Sequence, residues 1–518
     1  MPSVMTAANG PKSAAPGANY ALALLLAINM FNYIDRYILS ATLPVIQLDA
    51  SIFRPDDPNL GLKLGLLTTG FLVSYMFLSP LFGWFGDRMS RWFLIGMAVI
   101  AWSLATGGTG LAVGYVLLLL TRCLVGVGEA AYGPVAPSML SDLFPIDHRG
   151  RVMAWFNMAI PVGSALGFVI GGIIAGSSLG WRYAFLMAVL PGLALGVICL
   201  FMKDPRKHSK EQKAKVLVHS TEDAGTDIPA NVSPSYAAVL KELLGNRSFL
   251  FCCAGMTLST FVLGGIAAWA PVYIFERNAR FEITAETETK LRELKLSDGA
   301  PVIPEKVLGD IHGLIAPETF DVTEYHKRLL TRLSNDELTQ YGSYIDKAAT
   351  APGSITTAEI GMNFGGIVVI SGLVATLLGG MLGDRLRNRG VKGAYFQVAG
   401  WGTILGFPFF LAMLFTPFPL AWVFMFLAVF WLFFNTGPAN TILANVTRPE
   451  IRATAFAINI LIIHLLGDAI SPPLIGSIKD SADLHTAFLA VSFLIPAAGI
   501  LWVLGARHLD ADTARAEF

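Results

Sequence analysis

The sequence predicts an all-α membrane protein of twelve transmembrane helices in two six-helix halves, with both termini cytoplasmic. Three observations carry that prediction. The first is composition: 54% of the 518 residues are hydrophobic and only 14% are charged, against about 25% charged in soluble domains. With a mean hydropathy of +0.58, the chain has too little polar surface to cover a soluble protein of this length. The second is the recurrence of apolar runs of about 20 residues, the length that crosses a hydrocarbon core. The third is a motif that occurs at 83–92 and again at 380–389.

The 37 basic and 37 acidic residues cancel, so no net field attracts nucleic acid or an acidic partner. Cys123, Cys199, Cys252 and Cys253 sit in apolar runs without metal-ligand or redox spacing. That pattern excludes a disulfide scaffold, and neither metal nor cofactor is expected.

In chain order, residues 1–19 read as a cytoplasmic tail whose only cation is Lys12. The tail lacks the charged, apolar and cleavage regions of a signal peptide, so the first helix is expected to be retained. The apolar runs place spans at 20–47, 64–86, 92–112, 114–142, 152–176, 181–202, 248–275, 359–383, 393–416, 419–444, 453–477 and 485–506. The first six form an N-terminal half, 20–202, and the last six a C-terminal half, 248–506. The linker 203–247 joins them, and 507–518 is a second cytoplasmic tail. Segments on the side of the termini hold 21 basic residues and the short loops on the other side hold 4, which fixes the termini as cytoplasmic. An insert at 277–356 follows the seventh span and so lies outside; it carries 10 basic and 13 acidic residues. Its Leu329, Leu330, Leu333 and Leu338 spacing predicts a short helical cap, with a solvated insertion favoured over a ligand-catching domain.

The duplicated motif reads Gly-Trp-Phe-Gly-Asp-Arg-Met-Ser-Arg-Trp at 83–92 and Gly-Met-Leu-Gly-Asp-Arg-Leu-Arg-Asn-Arg at 380–389. It aligns Gly83 with Gly380, Gly86 with Gly383, Asp87 with Asp384 and Arg88 with Arg385, each copy closing the second helix of its half. Paired halves around a long linker are common among secondary transporters. On this signature the chain resembles the major facilitator superfamily, which implies the major facilitator fold. A carboxylate near the amino end of a neighbouring helix is stabilised by free N–H groups and the dipole, and arginines satisfy carbonyl ends. Asp87, Arg88, Arg91, Asp384 and Arg385 are therefore expected to form a cytoplasmic gate that latches the halves and binds no substrate.

Charges within spans are costly unless paired or hydrated, and are functional candidates by default. They concentrate in Asn32-Tyr-Ile-Asp-Arg36 and in Arg122-Cys-Leu-Val-Gly-Val-Gly-Glu129. Arg122 and Glu129 are two turns apart and share a face. At about 1.5 Å per residue Asp35 and Arg122 come to similar depths, so an Asp35–Arg122 contact is expected, with Glu129 more than one turn deeper. Two acids and two bases also fit a structural salt-bridge network. Burial disfavours a charged carboxylate and a nearby arginine favours it, so such groups are poised to exchange protons as water access alternates. On that reading Asp35 and Glu129 take up protons, while Arg36 and Arg122 set their proton affinity or bind an anionic headgroup.

The second half offers Asn435, Thr436 and Asn440 in the tenth span and Asn459, His464 and Asp468 in the eleventh. His464 and Asp468 share a face, as an interhelical hydrogen-bond pair or as substrate contacts. Pro438, Pro472 and Pro473 break the ladder nearby, which suits bent or cavity-lining backbone. Gly163, Gly167 and Gly171 make small-xxx-small steps for close packing. That helix is similar to the glycine-rich helix of drug/proton antiporters but lacks its Gly-Pro pair, which takes weight from drug antiport.

Three patches resemble the Spinster family of lipid transporters. They are Asn32 to Arg36 with Leu43-Pro44, Arg122 to Phe144 with Gly126, Gly128-Glu129-Ala130, Tyr132 and Ala136-Pro137, and Thr260 to Gly264 with Trp269-Ala-Pro271. The resemblance implies export or exchange of amphipathic lipids, such as sphingosine 1-phosphate or lysophospholipids, coupled to or regulated by protons. It marks Asp35 and Glu129 as protonation sites and, with the polar residues above, implies a substrate cavity of Asn32, Tyr132, Trp269, Asn435, Thr436, His464 and Asp468. The length of the insert departs from the family pattern. The expected partners are a lipid-like substrate and protons; the protein is expected to be a monomer in the cell membrane, the inner membrane in a bacterium. The competing readings are a proton symporter for small organic anions or sugars, and a non-transporting receptor or scaffold that uses the insert. No nucleophile–base or metal constellation accompanies the charged helices, so an enzyme is not expected.

Overall fold

A computed structural model describes residues 16–54, 57–144, 146–202, 236–295, 300–448 and 451–516. Twelve of its helices are long and apolar enough to cross a membrane. The first six are Ala18–Ile46, Leu60–Gly86, Arg91–Gly110, Tyr115–Leu140, Met158–Gly176 and Trp181–Leu200. The second six are Arg247–Asn278, Thr357–Asn388, Ala394–Phe415, Leu420–Asn445, Thr454–Ser481 and Leu484–Gly505. Every span expected from the sequence is present. Several begin earlier than hydropathy suggests because polar caps set the start. Asn246 accepts from the Phe249 N–H ahead of the seventh span, and Thr356 forms a capping box with Glu359 ahead of the eighth.

Four spans are interrupted, the twelfth between Leu484–Ser492 and Leu494–Gly505 and the other three where the sequence places proline or small residues. The fourth is built from Tyr115–Glu129 and Tyr132–Leu143, and the tenth from Leu420–Phe433 and Thr436–Asn445. Pro438 has no N–H to offer the Phe434 carbonyl, so the ladder opens there. The eleventh runs from Arg452–Ile463 through a π turn, His464–Asp468, into Ser471–Ser481. Pro473 likewise leaves the Ala469 carbonyl free, and Thr69 of the second span donates to it at 2.6 Å.

Within the first half, the fifth span lays its glycine stripe on the first. A Cβ at Gly167 would stand 2.6 Å from the Ile34 carbonyl oxygen, one at Gly163 2.5 Å from that of Met30, and one at Gly171 2.9 Å from the Ala41 Cβ. Between halves, the second span meets the eleventh and the fifth meets the eighth. Every hydrogen bond between described residues of the two halves lies toward the insert: Gly61 and Leu62 to Asp480, Thr69 to Ala469, Thr357 to Gly172 and Lys479 to Gln47. Among the described residues, the hydrogen-bonded ties between the halves are therefore gathered on the insert side.

The insert is larger than the short cap expected. It folds as the helices Ala285–Arg292, Glu305–His312, Val322–Leu330 and Asn335–Ala349, with Phe281 bridging to Phe320 and Thr350. Phe281 stacks on Tyr325 at 4.2 Å, and Leu291, Ile311, Leu329, Leu333 and Ile345 are buried around them. Leu329 and Leu333 therefore belong to a core that draws on all four helices. Tyr325 donates to the Asp346 carboxylate at 2.9 Å. Burial pushes that carboxyl up to about 7, and the charge of Asp49, just past the insert-side end of the first span, adds to the rise. Burial likewise pushes His326 down to about 4. Of the linker 203–247, only Tyr236–Gly245 is described as a helix; residues 203–235 and the tail 1–15 lie outside the described residues.

Candidate functional site

Tyr33, Arg36 and Tyr37 recur at three- and four-residue spacing and so share one face of the first span. Phe71 and Tyr75 do the same on the second. The Arg36 guanidinium carbon lies 5.0, 4.9 and 4.9 Å from the ring centres of Tyr33, Phe71 and Tyr75, which places its cation among three π faces. Its Nε donates to Glu129 Oε2 at 2.6 Å, with 19% of the Arg36 side chain exposed and none of Glu129. Arg36 is thus the exposed member of the pair.

Asp35 turns the other way. It is fully buried and accepts from the Thr106 hydroxyl on the third span at 2.5 Å. Arg122 is 1% exposed, and its guanidinium carbon lies 5.6 Å from the Phe71 ring centre. Its Nε and Nη1 find no hydrogen-bond partner among the described residues. Phe71 therefore lies beside both guanidinium groups.

The Asp35–Arg122 contact expected from the sequence is not formed as an ion pair among the described residues; the pair made is Arg36–Glu129. Depth alone did not decide this. Neighbouring residues on a helix point about 100° apart, so only one of Asp35 and Arg36 faces Glu129.

The remaining candidates separate by exposure. Asn32 is buried beside Glu129. The Tyr132 hydroxyl donates to the Leu25 carbonyl at 2.6 Å, and the Trp269 indole donates to the Pro472 carbonyl at 2.9 Å. Asn435 donates to Leu432, Thr403 and Ser259. All three side chains are buried and tie helices together in this conformation, where the sequence had suggested a cavity wall. Thr436, His464 and Asp468 are half-buried. His464 Nδ1 lies 2.9 Å from Asp468 Oδ2 across the π turn.

At the duplicated motif, the Asp87 side chain lies outside the described residues. Arg88 stacks on Trp84 at 3.9 Å. Arg91 is 3% exposed on its side chain and meets Asp142, 56% exposed, at 2.7 Å. Asp384 accepts from the Tyr395 hydroxyl at 2.7 Å, and Arg385 is exposed. Sequence reasoning missed Tyr33, Tyr37, Phe71, Tyr75, Thr106 and Asp142. The four-residue spacing of the aromatics around Arg36 was the available signal, while Thr106 and Asp142 have no local one.

Twelve spans in two halves, tied together on the insert side around a charged centre, are the architecture of a transporter of the major facilitator class. The sequence pattern of the Major Facilitator Superfamily matches residues 25–285. The chain is 30% identical to protein spinster homolog 1 of Xenopus laevis over 515 residues, covering 95% of this chain and 81% of that protein. It is also 30% identical to protein spinster homolog 1 of Homo sapiens, over 96% of this chain and 82% of that one. The chain belongs to the Spinster family of the Major Facilitator Superfamily, and it is a multi-pass membrane protein. Its fold is similar to a bacterial homolog of the human lysosomal transporter Spinster in an inward-facing, unoccupied conformation, with TM-score 0.70 at 18% identity, covering 97% and 99% of the two chains. A D-xylose–proton symporter shares the fold at TM-score 0.58 and 16% identity, over 95% and 97%.

Proposed function

We propose that the chain moves amphipathic lipids of the lysophospholipid or sphingosine 1-phosphate type by proton-linked alternating access. The supporting observation is the partly exposed Arg36, ringed by Tyr33, Phe71 and Tyr75 and neutralised by Glu129. A guanidinium on an aromatic wall suits a ligand with an anionic head and an apolar tail, because each part meets its own chemistry. A headgroup anion competes with Glu129 for Arg36. Once displaced, the Glu129 carboxylate has no countercharge and is relieved by a proton, so binding and protonation are linked. Asp35 and Arg122, a shell deeper, serve as the second proton site and its charge partner.

With the termini in the cytoplasm, the ties between the halves on the insert side support reading this conformation as inward-facing. Asp87, Arg88, Arg91, Asp384 and Arg385 then form the gate that closes when the bundle turns outward. Thr436, His464 and Asp468 line the opposite wall, with Asn32, Tyr132, Trp269 and Asn435 holding the helices behind it. The protein works as a monomer.

The test is transport of a labelled lysophospholipid by purified protein in proteoliposomes, at two internal pH values. Uptake that depends on pH in the wild type and loses that dependence in Glu129→Gln is the expected result. Saturable proton influx driven by a sugar or small organic acid, with no lipid effect, would replace this reading. A pH response untouched by Glu129→Gln would remove the coupling role of Glu129.

A further inference from the structure

We propose that Asp480 is a latch between the halves: it caps the amino end of the second span from the eleventh, and so holds the insert side closed. The second span begins at Leu60, and its own N-cap residue, Asn59, makes no side-chain cap hydrogen bond. The orphan N–H groups of a helix start are normally met at the second and third positions by the N-cap side chain. Here those positions are Gly61 and Leu62, and their N–H groups donate to Asp480 Oδ1 at 2.6 Å and Oδ2 at 2.8 Å. A cap usually supplied from the preceding residue comes from the other half of the protein.

The surroundings are built for this reach. Gly61 and Gly476 pack backbone on backbone, and a Cβ at Gly61 would collide with the Gly476 carbonyl. Gly65 is packed in the same way on Pro472. The residue before Asp480 also crosses: Lys479 donates to Gln47 at the end of the first span at 3.3 Å while pairing with Glu276 at 2.9 Å. The cap also carries a full negative charge to the positive end of a 29-residue helix. When the second and eleventh spans part on this side, the two N–H groups lose their acceptor, so the cap acts in one conformation only. That difference between states is what makes a contact a latch.

The inference rests on the alternating-access reading, and its test separates the two. Spin labels at Ser178 and Ala482, both exposed and on insert-side loops of opposite halves, report opening of that side by pulsed electron resonance of the full chain in nanodiscs. Cys123 is replaced first, because the other three cysteines are buried. Removing a capping side chain is expected to move the open-to-closed ratio about five-fold in Asp480→Ala. Asp480→Lys, which offers no acceptor, moves it at least as far. Asp480→Asn keeps a good capping oxygen and stays within about two-fold. Gly61→Ala opens the side by crowding Gly476 and serves as the positive control. Two distance populations whose ratio is unmoved by Asp480→Ala and Asp480→Lys would overturn the latch alone. A single population in every variant, Gly61→Ala included, would overturn the two-state reading and the latch with it.

Discussion

The Arg36–Glu129 pair is asymmetric in burial, and that asymmetry makes a quantitative prediction about its two single deletions. Glu129 has no exposed side-chain surface, whereas Arg36 is 19% exposed and lies over three aromatic rings. Breaking a buried pair by removing one partner costs about 3–5 kcal/mol, because the survivor is left uncompensated. Arg36→Ala orphans the carboxylate in the dry part of the site and should cost near the top of that range. Glu129→Gln orphans a guanidinium that keeps its aromatic contacts, each worth about 0.5–2 kcal/mol, and some access to water. The remaining amide also keeps an acceptor for Nε at the 2.6 Å position. Its cost should fall to about 1–2 kcal/mol.

The double variant Arg36→Ala/Glu129→Gln removes both charges and should be more stable than Arg36→Ala alone by about 2 kcal/mol. Denaturant unfolding of the three variants and wild type in the same micelles closes the cycle. Equal costs for the two single variants, with a double variant equal to their sum, would refute the assignment of this pair as one buried unit with an exposed arginine.

Three further outcomes follow. Asp346 in the insert has its carboxyl pushed up to about 7 by burial, so the folded insert holds a proton that the unfolded chain releases near 4. Stability is then fully present below about 4 and is lost as pH rises through about 7, at no more than about 1.4 kcal/mol per pH unit. Hydrogen exchange of residues 322–349 should quicken from pH 6 to 8 beyond the intrinsic rate, and Asp346→Asn should abolish that excess. Gly167→Val places a side chain where a Cβ alone would stand 2.6 Å from the Ile34 carbonyl; a loss of about 3 kcal/mol or more, read as a lower melting point or failure to purify, is expected. Asp142→Ala strips a partner from Arg91, which is 3% exposed on its side chain. It should destabilise by about 1–3 kcal/mol, while the same change at exposed Arg385 leaves stability within about 0.5 kcal/mol.

The membrane layer of this fold is legible in the sequence because hydropathy is a local property: each span is written in its own residues. The glycine stripe at 163, 167 and 171 was legible for the same reason, since its spacing marks a face whatever helix covers it. What could not be read is azimuth between spans. Depth put Asp35 level with Arg122, but the rotation of the first span gives Arg36 to Glu129 and Asp35 to Thr106, two residues with no shared pattern in sequence. The insert was under-read because its core is assembled from Phe281, Leu291, Ile311, Tyr325 and Ile345, one or two apolar residues per short helix. Such a core has no periodicity long enough to stand out against the strongly charged surface around it.

The same contrast explains how a tight seal can be reversible. Within a half, the first and fifth spans meet through a continuous glycine stripe and apolar side chains that water cannot replace, so those helices move together. Across the halves the hydrogen bonds fall mainly on backbone groups: the Ala469 and Gly172 carbonyls and the Gly61 and Leu62 N–H groups. Each is a group that water satisfies when the halves part, so opening exchanges one partner for another without stranding a buried polar atom. The Ala469 carbonyl is available only because Pro473 cannot bond it, and the N–H groups at Gly61 and Leu62 are available only because a helix starts there. Helix breaks and helix ends thus supply the polar points at which the halves meet, while the uninterrupted lengths supply the rigid bodies. On that division of labour, filling a break disturbs the seal before it disturbs a half. Pro473→Ala, which restores an N–H to compete for the Ala469 carbonyl, should weaken the Thr69 tie and favour the insert-side-open state, with denaturant stability within about 1 kcal/mol of wild type. A large stability loss with an unchanged conformational ratio would show that the proline serves the half instead of the seal.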